Sequence, residues 1–382
     1  MKILLVTRGY PQKHNKNLGL FEKDQAIALK KNGHDVAYAV VDIRSFRRKR
    51  KFGFNSYVDE NGIKVYEMNW PIGPVPRKLI EYFRQEALIK LYDYIVKDFG
   101  RPDIVHAHFL NYGVISVKLC KKENLPLVLT EHSSYLMNEK HSRAVINRAR
   151  KTYNACSAII AVSKPLSETI KNISGCDAIV ISNIAAIPFS TKKNVSKEND
   201  KFTFASAANL IKRKGFDTLI TGFSKLAKVN KNVELWIYGD GPERKKLAGL
   251  AKQLGVGKKV HFYGKYERCE INNLFSKADC FALTSRGETF GVAYIEAMAC
   301  GLPVIATKCY GPESFVNDKN GYLIPIDDDE ALFEAMKDVI NNRGKFDSEQ
   351  IKKFVQDNFS ETTIARRITE VYSKVLKNSK NI

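Results

Sequence analysis

Cysteine is sparse in this sequence of 382 residues, which contains seven cysteines scattered between Cys120 and Cys309. Their number is odd, and no two of them form a Cys-x-x-Cys pair. A disulfide framework or a cysteine-based zinc site would normally show such pairing. The sequence therefore indicates neither disulfide bonds nor a zinc site of this type.

Long apolar runs are also absent. No segment approaches the roughly eighteen consecutive apolar residues of a membrane-spanning helix. The apolar start at 1–7, M-K-I-L-L-V-T, is shorter than the core of a signal peptide. Hydrophobic residues make up 44% of the chain and charged residues 27%, which is typical of a folded globular protein. We therefore expect a cytoplasmic protein.

Positive charge dominates the sequence, whose net charge is +21. Residues 1–190 carry 30 Lys and Arg residues against 17 Asp and Glu residues, so most of the excess lies there. The densest run, R-S-F-R-R-K-R-K-F-G-F at 44–54, mixes cations with aromatic residues. This excess favours a polyanion or an anionic membrane surface as partner. A solvated loop explains the run equally well, and nucleic acid is not expected.

Short apolar strands alternate with amphipathic helices along the chain, which predicts two doubly wound α/β domains with parallel sheets. A polar stretch at 188–201 separates two sets of predicted strands, and its composition predicts a linker. The amphipathic helix predicted at 77–99 is expected to pack in the core, with membrane docking as the alternative. The predicted strands are 1–7, 34–41, 102–108, 125–130 and 157–162 in the first set, and 202–207, 233–238, 259–263, 279–284 and 302–307 in the second.

The stretch R-G-E-T-F-G-V-A-Y-I-E-A-M-A-C-G at 286–301 combines two carboxylates with a glycine. It follows a predicted strand as a loop and then opens a helix, whose first unpaired amides and dipole favour an anion. Glu288 and Glu296 have seven residues between them. Carboxylates accept hydrogen bonds from paired hydroxyls, so the combination suits a nucleotide sugar. The alternative is that both are ordinary helix carboxylates.

The same stretch resembles the signature of the retaining glycosyltransferases of family 4, in which two glutamates flank seven other residues. That family has the GT-B fold, in which two Rossmann-like doubly wound domains face a central cleft. Weaker similarities follow in family order along nearly the whole chain. They occur at Pro11, 19–21, Gln25, 33–36, 103–108, 130–132, 161–164, 209–215, 239–242, 301–305 and 311–313.

The resemblance implies a domain organisation and a reaction. Residues 1–187 would form the acceptor-side domain, residues 188–358 the donor-binding domain, and the final helix at 359–382 would pack back on the first. The reaction would move a sugar from a nucleotide-sugar donor to an acceptor hydroxyl with retention of configuration. The basic charge of the first domain suggests an anionic or lipid-linked acceptor at the cytoplasmic membrane face, such as a cell-surface glycan precursor.

The resemblance also implies roles for the donor-side residues. Glu296 would bind the ribose hydroxyls and Glu288 the hydroxyls of the transferred sugar. The backbone amides of Thr289, Phe290 and Gly291 would meet the sugar and the diphosphate.

One departure from the family concerns the cationic clamp on the diphosphate, which Lys214 would provide. The family often has arginine where this chain has Asn209. Either Lys212 or Arg213 would then supply the missing charge.

Three acceptor-side residues are carried over in the same way. His108 would approach the sugar at its reacting face, and Gly19 would shape a loop beside the acceptor. His132 belongs to this side as well, with a purely structural histidine as the alternative.

No metal ion or other cofactor is expected. His106 and His108 share a strand face, but no third ligand is nearby in sequence. The Asp-x-Asp spacing at 327–329 precedes a helical pattern, so helix capping explains it better than metal binding. Two other functions stay open: a nucleotide-sugar epimerase of similar fold, and a non-enzymatic polyanion-binding protein.

Overall fold

A computed structural model of the chain describes residues 1–11, 18–43, 52–72, 75–137, 141–185 and 201–380. The chain divides into two compact units. Unit 1 comprises Met1–Ile184 and Glu361–Ile382, and unit 2 comprises Ala185–Ser360. The expected linker at 188–201 and the basic run at 44–54 lie mostly outside the described residues. No described helix is long and apolar enough to cross a membrane.

Strands and helices alternate through both units. The strands are β1 (Lys2–Thr7), β2 (Asp35–Asp42), β3 (Gly53–Val58), β4 (Lys64–Asn69), β5 (Ile104–His108), β6 (Leu127–Glu131), β7 (Ala158–Ala161), β8 (Ile179–Val180), β9 (Phe202–Ala207), β10 (Val233–Tyr238), β11 (Val260–Gly264), β12 (Cys280–Leu283), β13 (Val304–Thr307) and β14 (Gly321–Ile324). The helices are α1 (Leu20–Lys31), α2 (Arg77–Phe99), α3 (Leu110–Glu123), α4 (Arg143–Tyr153), α5 (Lys164–Ser174), α6 (Phe216–Val229), α7 (Arg244–Gln253), α8 (Ile271–Phe275), α9 (Val292–Ala299), α10 (Asp329–Asn341), α11 (Ser348–Phe359) and α12 (Glu361–Lys380).

In the described part of unit 1, eight strands form one sheet in the order β3-β4-β2-β1-β5-β6-β7-β8. All neighbours are parallel except β3 and β4, which form an antiparallel pair. The five strands predicted in this half are confirmed as parallel members of the sheet. The β3–β4 hairpin was not predicted, because β3 is mostly exposed and lacks a buried apolar run. Its signal is the Asn61-Gly62 pair in the turn.

The start of α1 depends on a close approach of two backbone segments. Gly19 precedes the helix with φ 76°, and a Cβ there would lie 1.9 Å from the Gly9 carbonyl oxygen. The buried Tyr38 hydroxyl donates to the same carbonyl over 2.9 Å. Glycine is therefore required at position 19, in the loop where the resemblance placed it.

The helix α12 packs against α1 within unit 1. Ile364, Ile368 and Tyr372 are fully buried. The Tyr372 hydroxyl lies 2.6 Å from His106 Nδ1, while His106 Nε2 lies 2.7 Å from Thr130 Oγ1. Burial lowers the pKa of His106 to about 3, so the ring stays neutral and both its nitrogens are satisfied. His106 is therefore a structural link between β5 and α12.

Unit 2 contains six parallel strands among its described residues, in the order β11-β10-β9-β12-β13-β14. The central strands β9, β12 and β13 are buried along their whole length, as expected for a sheet covered on both faces. The five predicted strands of this half are confirmed. The edge strand β14 was not predicted, since its four residues are too short to give a period.

Replacing Tyr372 by Phe tests the link to α12. The buried His106 Nδ1 would lose its partner, and we expect unit 1 to lose about 1–3 kcal/mol of its free energy of unfolding. Urea unfolding in a Trp236→Phe background, where Trp70 reports on unit 1, measures this loss. The exposed Tyr82→Phe serves as the control; equal stability of the two variants would contradict the assignment.

Candidate active site

The loop between β12 and α9 carries the first glutamate and is held by backbone hydrogen bonds. The amide of Glu288 donates to the Cys309 carbonyl over 3.0 Å, and the amide of Gly311 donates to the Glu288 carbonyl over 3.0 Å. A Cβ at Gly311 would lie 2.4 Å from the Phe290 carbonyl oxygen. The loop is thus fixed before any ligand arrives.

Phe290 anchors the loop to the core of unit 2. Its side chain is buried, with ring centroids 5.2 Å from Phe315 and 5.7 Å from Phe359. Only the backbone of Phe290 is therefore available to a ligand. Within the described residues, the amides of Thr289, Phe290 and Gly291 donate no hydrogen bond. Because they precede the positive end of α9, they form a suitable environment for an anion.

Glu288 is a buried carboxylate with a cationic partner. It is 8% exposed, forms an ion pair with Lys214, and accepts a hydrogen bond from Ser285 Oγ over 2.7 Å. Burial by itself would raise the pKa of Glu288, but the Lys214 ammonium and the Ser285 hydroxyl outweigh it and hold the pKa below its ordinary value. Glu288 is therefore ionised at neutral pH.

Several hydrogen bonds besides the Lys214–Glu288 pair join the turn that carries Lys214 to the Glu288 loop. Lys212–Lys214 form a short 3-10 helix. The Thr284 hydroxyl donates to the Gly215 carbonyl over 2.7 Å, and the Arg286 amide donates to the Arg213 carbonyl over 2.8 Å. Arg286 Nη1 donates to the Lys212 carbonyl over 2.5 Å. The Lys212–Lys214 turn and the Glu288 loop, which are far apart in sequence, are thus held together as one unit.

Arg286 also connects the Glu288 loop to the start of α6 and of α10. Its Nη2 lies 2.9 Å from Asp217 Oδ2, and its Nε lies 2.7 Å from Asp327 Oδ1. Asp328 caps α10 by accepting the Ala331 amide over 2.8 Å. The capping interpretation of the 327–329 aspartates is therefore confirmed for Asp328, and Asp329 lies in the first turn of the helix, whereas Asp327 is not a cap but a partner of Arg286.

The structure distinguishes the two candidates for the missing family arginine. Asn209 is exposed. Arg213 Nη1 donates to the Gly287 carbonyl over 2.6 Å, and its charge helps to lower the pKa of Glu288. The Lys212 side chain is exposed and has no hydrogen bond to a described residue. Arg213, rather than Lys212, thus faces the glutamate loop.

Glu296 lies on α9 and is 6% exposed, so the alternative of an ordinary exposed helix residue is wrong. Its Oε1 lies 2.8 Å from Arg268 Nε. Arg268 was missed in the sequence, because it lies 28 positions earlier, at the start of a short 3-10 helix. The carboxylate of Glu296 is thus buried and paired with a cation, and a carboxylate can accept hydrogen bonds from two neighbouring hydroxyl groups.

The unit 1 residues form a separate histidine cluster. His108 Nδ1 lies 3.1 Å from His132 Nε2, and both rings are buried. Burial, together with the neighbouring histidines and Arg8, lowers the pKa of His108 well below its ordinary value. The pKa of His132 is lowered to about 3, chiefly by burial. Both rings are neutral, so one donates and the other accepts.

Metal binding receives no support from this cluster. Both nitrogens of His106 are engaged by Tyr372 and Thr130. Across the described ranges, no group of three potential metal ligands from His, Cys, Asp and Glu occurs.

Two family models match the chain, one in each half. The model described as Glycosyl transferases group 1 matches residues 189–358, and the model described as Glycosyltransferase Family 4 matches residues 23–185. The chain belongs to the family 4 glycosyltransferases. The glutamate pair and the Lys214 turn lie within the first match, and the histidine cluster lies within the second.

Curated relatives of this glycosyltransferase match between three quarters and nearly all of its length. An uncharacterized glycosyltransferase of Methanocaldococcus jannaschii is 25% identical, with 97% of this chain and 98% of the relative covered. A putative teichuronic acid biosynthesis glycosyltransferase of Bacillus subtilis, TuaC, is 27% identical over 96% and 94%. The alpha-monoglucosyldiacylglycerol synthase of Acholeplasma laidlawii is 28% identical over 76% of each chain.

Solved structures confirm the GT-B fold expected for this glycosyltransferase. Sucrose-phosphate synthase of Thermosynechococcus elongatus matches with a TM-score of 0.79 at 18% identity over 99% of both chains. HepE of Anabaena, solved in complex with UDP, matches with a TM-score of 0.77 at 21% identity over 98% of this chain and 100% of that one.

The Lys214–Glu288 pair can be tested by a double-mutant cycle. Lys214→Met leaves a buried carboxylate uncompensated, and we expect it to cost about 3–5 kcal/mol of unit 2 stability at neutral pH. The pKa of Glu288 then rises, so this cost shrinks as the pH falls towards the ordinary carboxyl pKa. Unfolding in a Trp70→Phe background, where Trp236 reports on unit 2, measures it.

The double variant Lys214→Met/Glu288→Gln provides the control for this cycle. It removes both charges, so most of the lost stability should return and the pH dependence should disappear. A double variant as unstable as Lys214→Met would show that the two charges do not interact.

Proposed function

We propose that this glycosyltransferase moves a sugar from a nucleoside-diphosphate sugar to an acceptor hydroxyl, with retention of anomeric configuration and without a metal ion. The observation that carries the proposal is the buried, ionised Glu288 paired with Lys214 beside three unengaged amides. A diphosphate requires cations and N–H donors, and sugar hydroxyls require a carboxylate acceptor. Lys214 and the three amides could bind the diphosphate, and the adjacent Glu288 could bind the sugar hydroxyls.

The donor would displace part of the resting ion pair. Lys214 turns its ammonium to the diphosphate, and Glu288 is then free to accept hydrogen bonds from the hydroxyls of the transferred sugar. The amides of Thr289, Phe290 and Gly291 contact the phosphate and sugar oxygens. Glu296, held by Arg268 at 2.8 Å, accepts from the ribose hydroxyls.

Leaving-group stabilisation would come from side chains. Lys214 and Arg213 supply the positive charge that a divalent ion supplies in metal-dependent transferases. In the reaction, the bond between the anomeric carbon and the phosphate oxygen breaks, and the acceptor oxygen bonds to that carbon on the same face. The acceptor proton passes to a phosphate oxygen, as the family resemblance implies. The resemblance also assigns His108 to the reacting face of the sugar.

The relatives indicate which substrates to try first. HepE of Anabaena has been solved with UDP and with UDP-glucose, which favours a UDP-sugar as donor. TuaC is named for teichuronic acid and the Acholeplasma enzyme for a glucosylated diacylglycerol. We therefore propose a lipid-linked or cell-surface glycan precursor as the acceptor.

Donor turnover tests the reaction. The purified chain is incubated without acceptor with UDP-, GDP-, ADP- and dTDP-sugars, and the products are followed by chromatography and NMR. We expect slow release of one nucleoside diphosphate, with retention of configuration at the released sugar. Glu288→Gln should lower this rate by about a hundredfold or more, as loss of a transition-state hydrogen bond does. Glu296→Gln should instead raise KM for the donor, because its contact with the ribose is the same before and during the reaction.

The exposed helix residue Glu334 offers a matched control, since Glu334→Gln makes the same chemical change away from the loop. Its rate should equal that of the wild type. Full activity of Glu288→Gln would overturn the assigned role. An isomerised sugar still attached to its nucleotide would identify an epimerase instead.

Peripheral binding to an anionic membrane is proposed as a property of unit 1. The core-packing interpretation of α2 is confirmed for one face, where Leu88, Leu91 and Ile95 are fully buried. Another part of its surface is apolar and exposed: Tyr94 stacks on Phe54 with centroids 4.3 Å apart. Other exposed apolar residues of unit 1 include Phe52, Leu79 and Tyr82.

Vesicle sedimentation tests this docking. The chain should bind phosphatidylglycerol vesicles, bind phosphatidylcholine vesicles more weakly, and lose affinity as salt is raised. Phe52→Ser/Leu79→Ser should weaken binding severalfold. Val229→Ser in unit 2, also at an exposed apolar position, should not. Equal binding of all variants would contradict the proposal.

A further inference from the structure

One cationic side chain of unit 1 is not used by the reaction described above. Arg8 directly follows β1, which pairs in parallel with β5 so that Val6 lies opposite Ala107. The carboxyl ends of these strands meet at the same edge of the sheet. Arg8 therefore lies at the edge where β5 ends in His108 and β6 leads into His132.

Two contacts fix the guanidinium of Arg8. Its Nε lies 3.1 Å from Glu22 Oε1, and its Cζ lies 4.6 Å from the centre of the Phe109 ring. Glu22 is fully buried, whereas the Arg8 side chain is 34% exposed. Among the described residues, the two Nη groups of Arg8 have no hydrogen-bond acceptor. The guanidinium of Arg8, which is paired with Glu22 by charge and lies over the Phe109 ring, thus presents unused N–H donors.

The Phe109 ring that supports Arg8 is itself held in an unusual backbone conformation. Phe109 has φ 67°, in the left-handed region that side chains other than glycine rarely adopt. Its amide donates to the Thr130 carbonyl over 2.8 Å. The ring lies 4.9 Å from the His132 ring, so Arg8, Phe109 and His132 form one contiguous group.

The adjacent His108 contributes one further unsatisfied atom. Its Nε2 is buried and has no hydrogen-bond partner in the described part of the chain, and the charge of Arg8 helps to lower the pKa of His108. The neighbouring His132 has Asn183 as a further polar neighbour. Because buried polar atoms normally have a partner, the His108 nitrogen and the unused donors of Arg8 suit a polar ligand group.

We propose that Arg8, with His108 and His132 beside it, forms a subsite for a carboxylate or phosphate group carried by the acceptor. The guanidinium presents paired N–H donors that match two oxygens of such a group. Glu22 lies 3.1 Å from the guanidinium, and the ligand oxygens satisfy the remaining donors. This inference rests on the proposed function, because it names the chemical class of the acceptor.

Direct binding tests the subsite without any donor. The full chain is titrated in a phosphate-free buffer of low ionic strength with glucuronate, glucose-6-phosphate and uncharged glucose. We expect one or both anionic sugars to bind about tenfold to hundredfold more tightly than glucose, the range of a charged hydrogen bond. Preference for glucuronate would identify a carboxylate-bearing acceptor, and preference for glucose-6-phosphate a phosphate-bearing one.

The double variant Arg8→Gln/Glu22→Gln removes the guanidinium while keeping the net charge of the protein and leaving no buried unpaired carboxylate. Its anion preference should disappear while its thermal unfolding midpoint stays near that of the wild type. The exposed Arg143→Gln lowers the net charge by one elsewhere and should retain the preference. Any effect of overall charge is thereby separated from the subsite.

Three results would overturn the subsite: equal affinity for charged and uncharged sugars, no binding of either anion, or an anion preference that survives in the double variant. Donor turnover by the wild type is measured separately. Turnover without anion preference would reject the subsite alone, and Arg8-dependent anion binding without turnover would reject the proposed reaction alone.

Discussion

A carboxylate removed from water stays charged only where a cation and hydrogen-bond donors replace its hydration. In unit 2 this condition is met by Lys214 and Ser285, which hold Glu288 in its ionised form beneath the surface of the loop. The positions of the surrounding segments follow from this pairing. The Lys212–Lys214 turn must reach the loop after β12, and the β9 and β12 strands that carry them must be neighbours, as the sheet order shows.

The ion pair is supported by a wider set of bonds that involve no ligand. Arg286 joins the carbonyls of Lys212 and Arg213 to two aspartates on either side. Thr284 adds a bond to Gly215. Because these contacts exist in the resting protein, the backbone of the Lys212–Lys214 turn keeps its position against the Glu288 loop. In the proposed reaction only the Lys214 side chain would then have to move, and a preorganised backbone is a general requirement for electrostatic catalysis.

The alternation of buried strands and amphipathic helices was sufficient to predict both parallel sheets, because period and length are local properties of the chain. The β3–β4 hairpin was not predicted, since the exposed strand β3 carries no apolar run. Spacing and the loop position identified Glu288 and Glu296 as candidate site residues. The residues that pair with them could not be predicted from spacing. Lys214 was proposed only through resemblance, and its contact with Glu288 spans 74 positions. Arg268 and Arg286 act through contacts 28 and 74 residues distant, which a local pattern does not encode.

The bond between His106 and Tyr372 has a consequence for biosynthesis. Its two residues are 266 positions apart, and the whole of unit 2 lies between them in the chain. Synthesis therefore reaches the end of unit 2 before it reaches α12, which completes unit 1. The buried imidazole of His106 has no tyrosine partner until that helix leaves the ribosome. Unit 1 is thus encoded first, yet its buried hydrogen bond between His106 and Tyr372 can form only after the last helix has been synthesised.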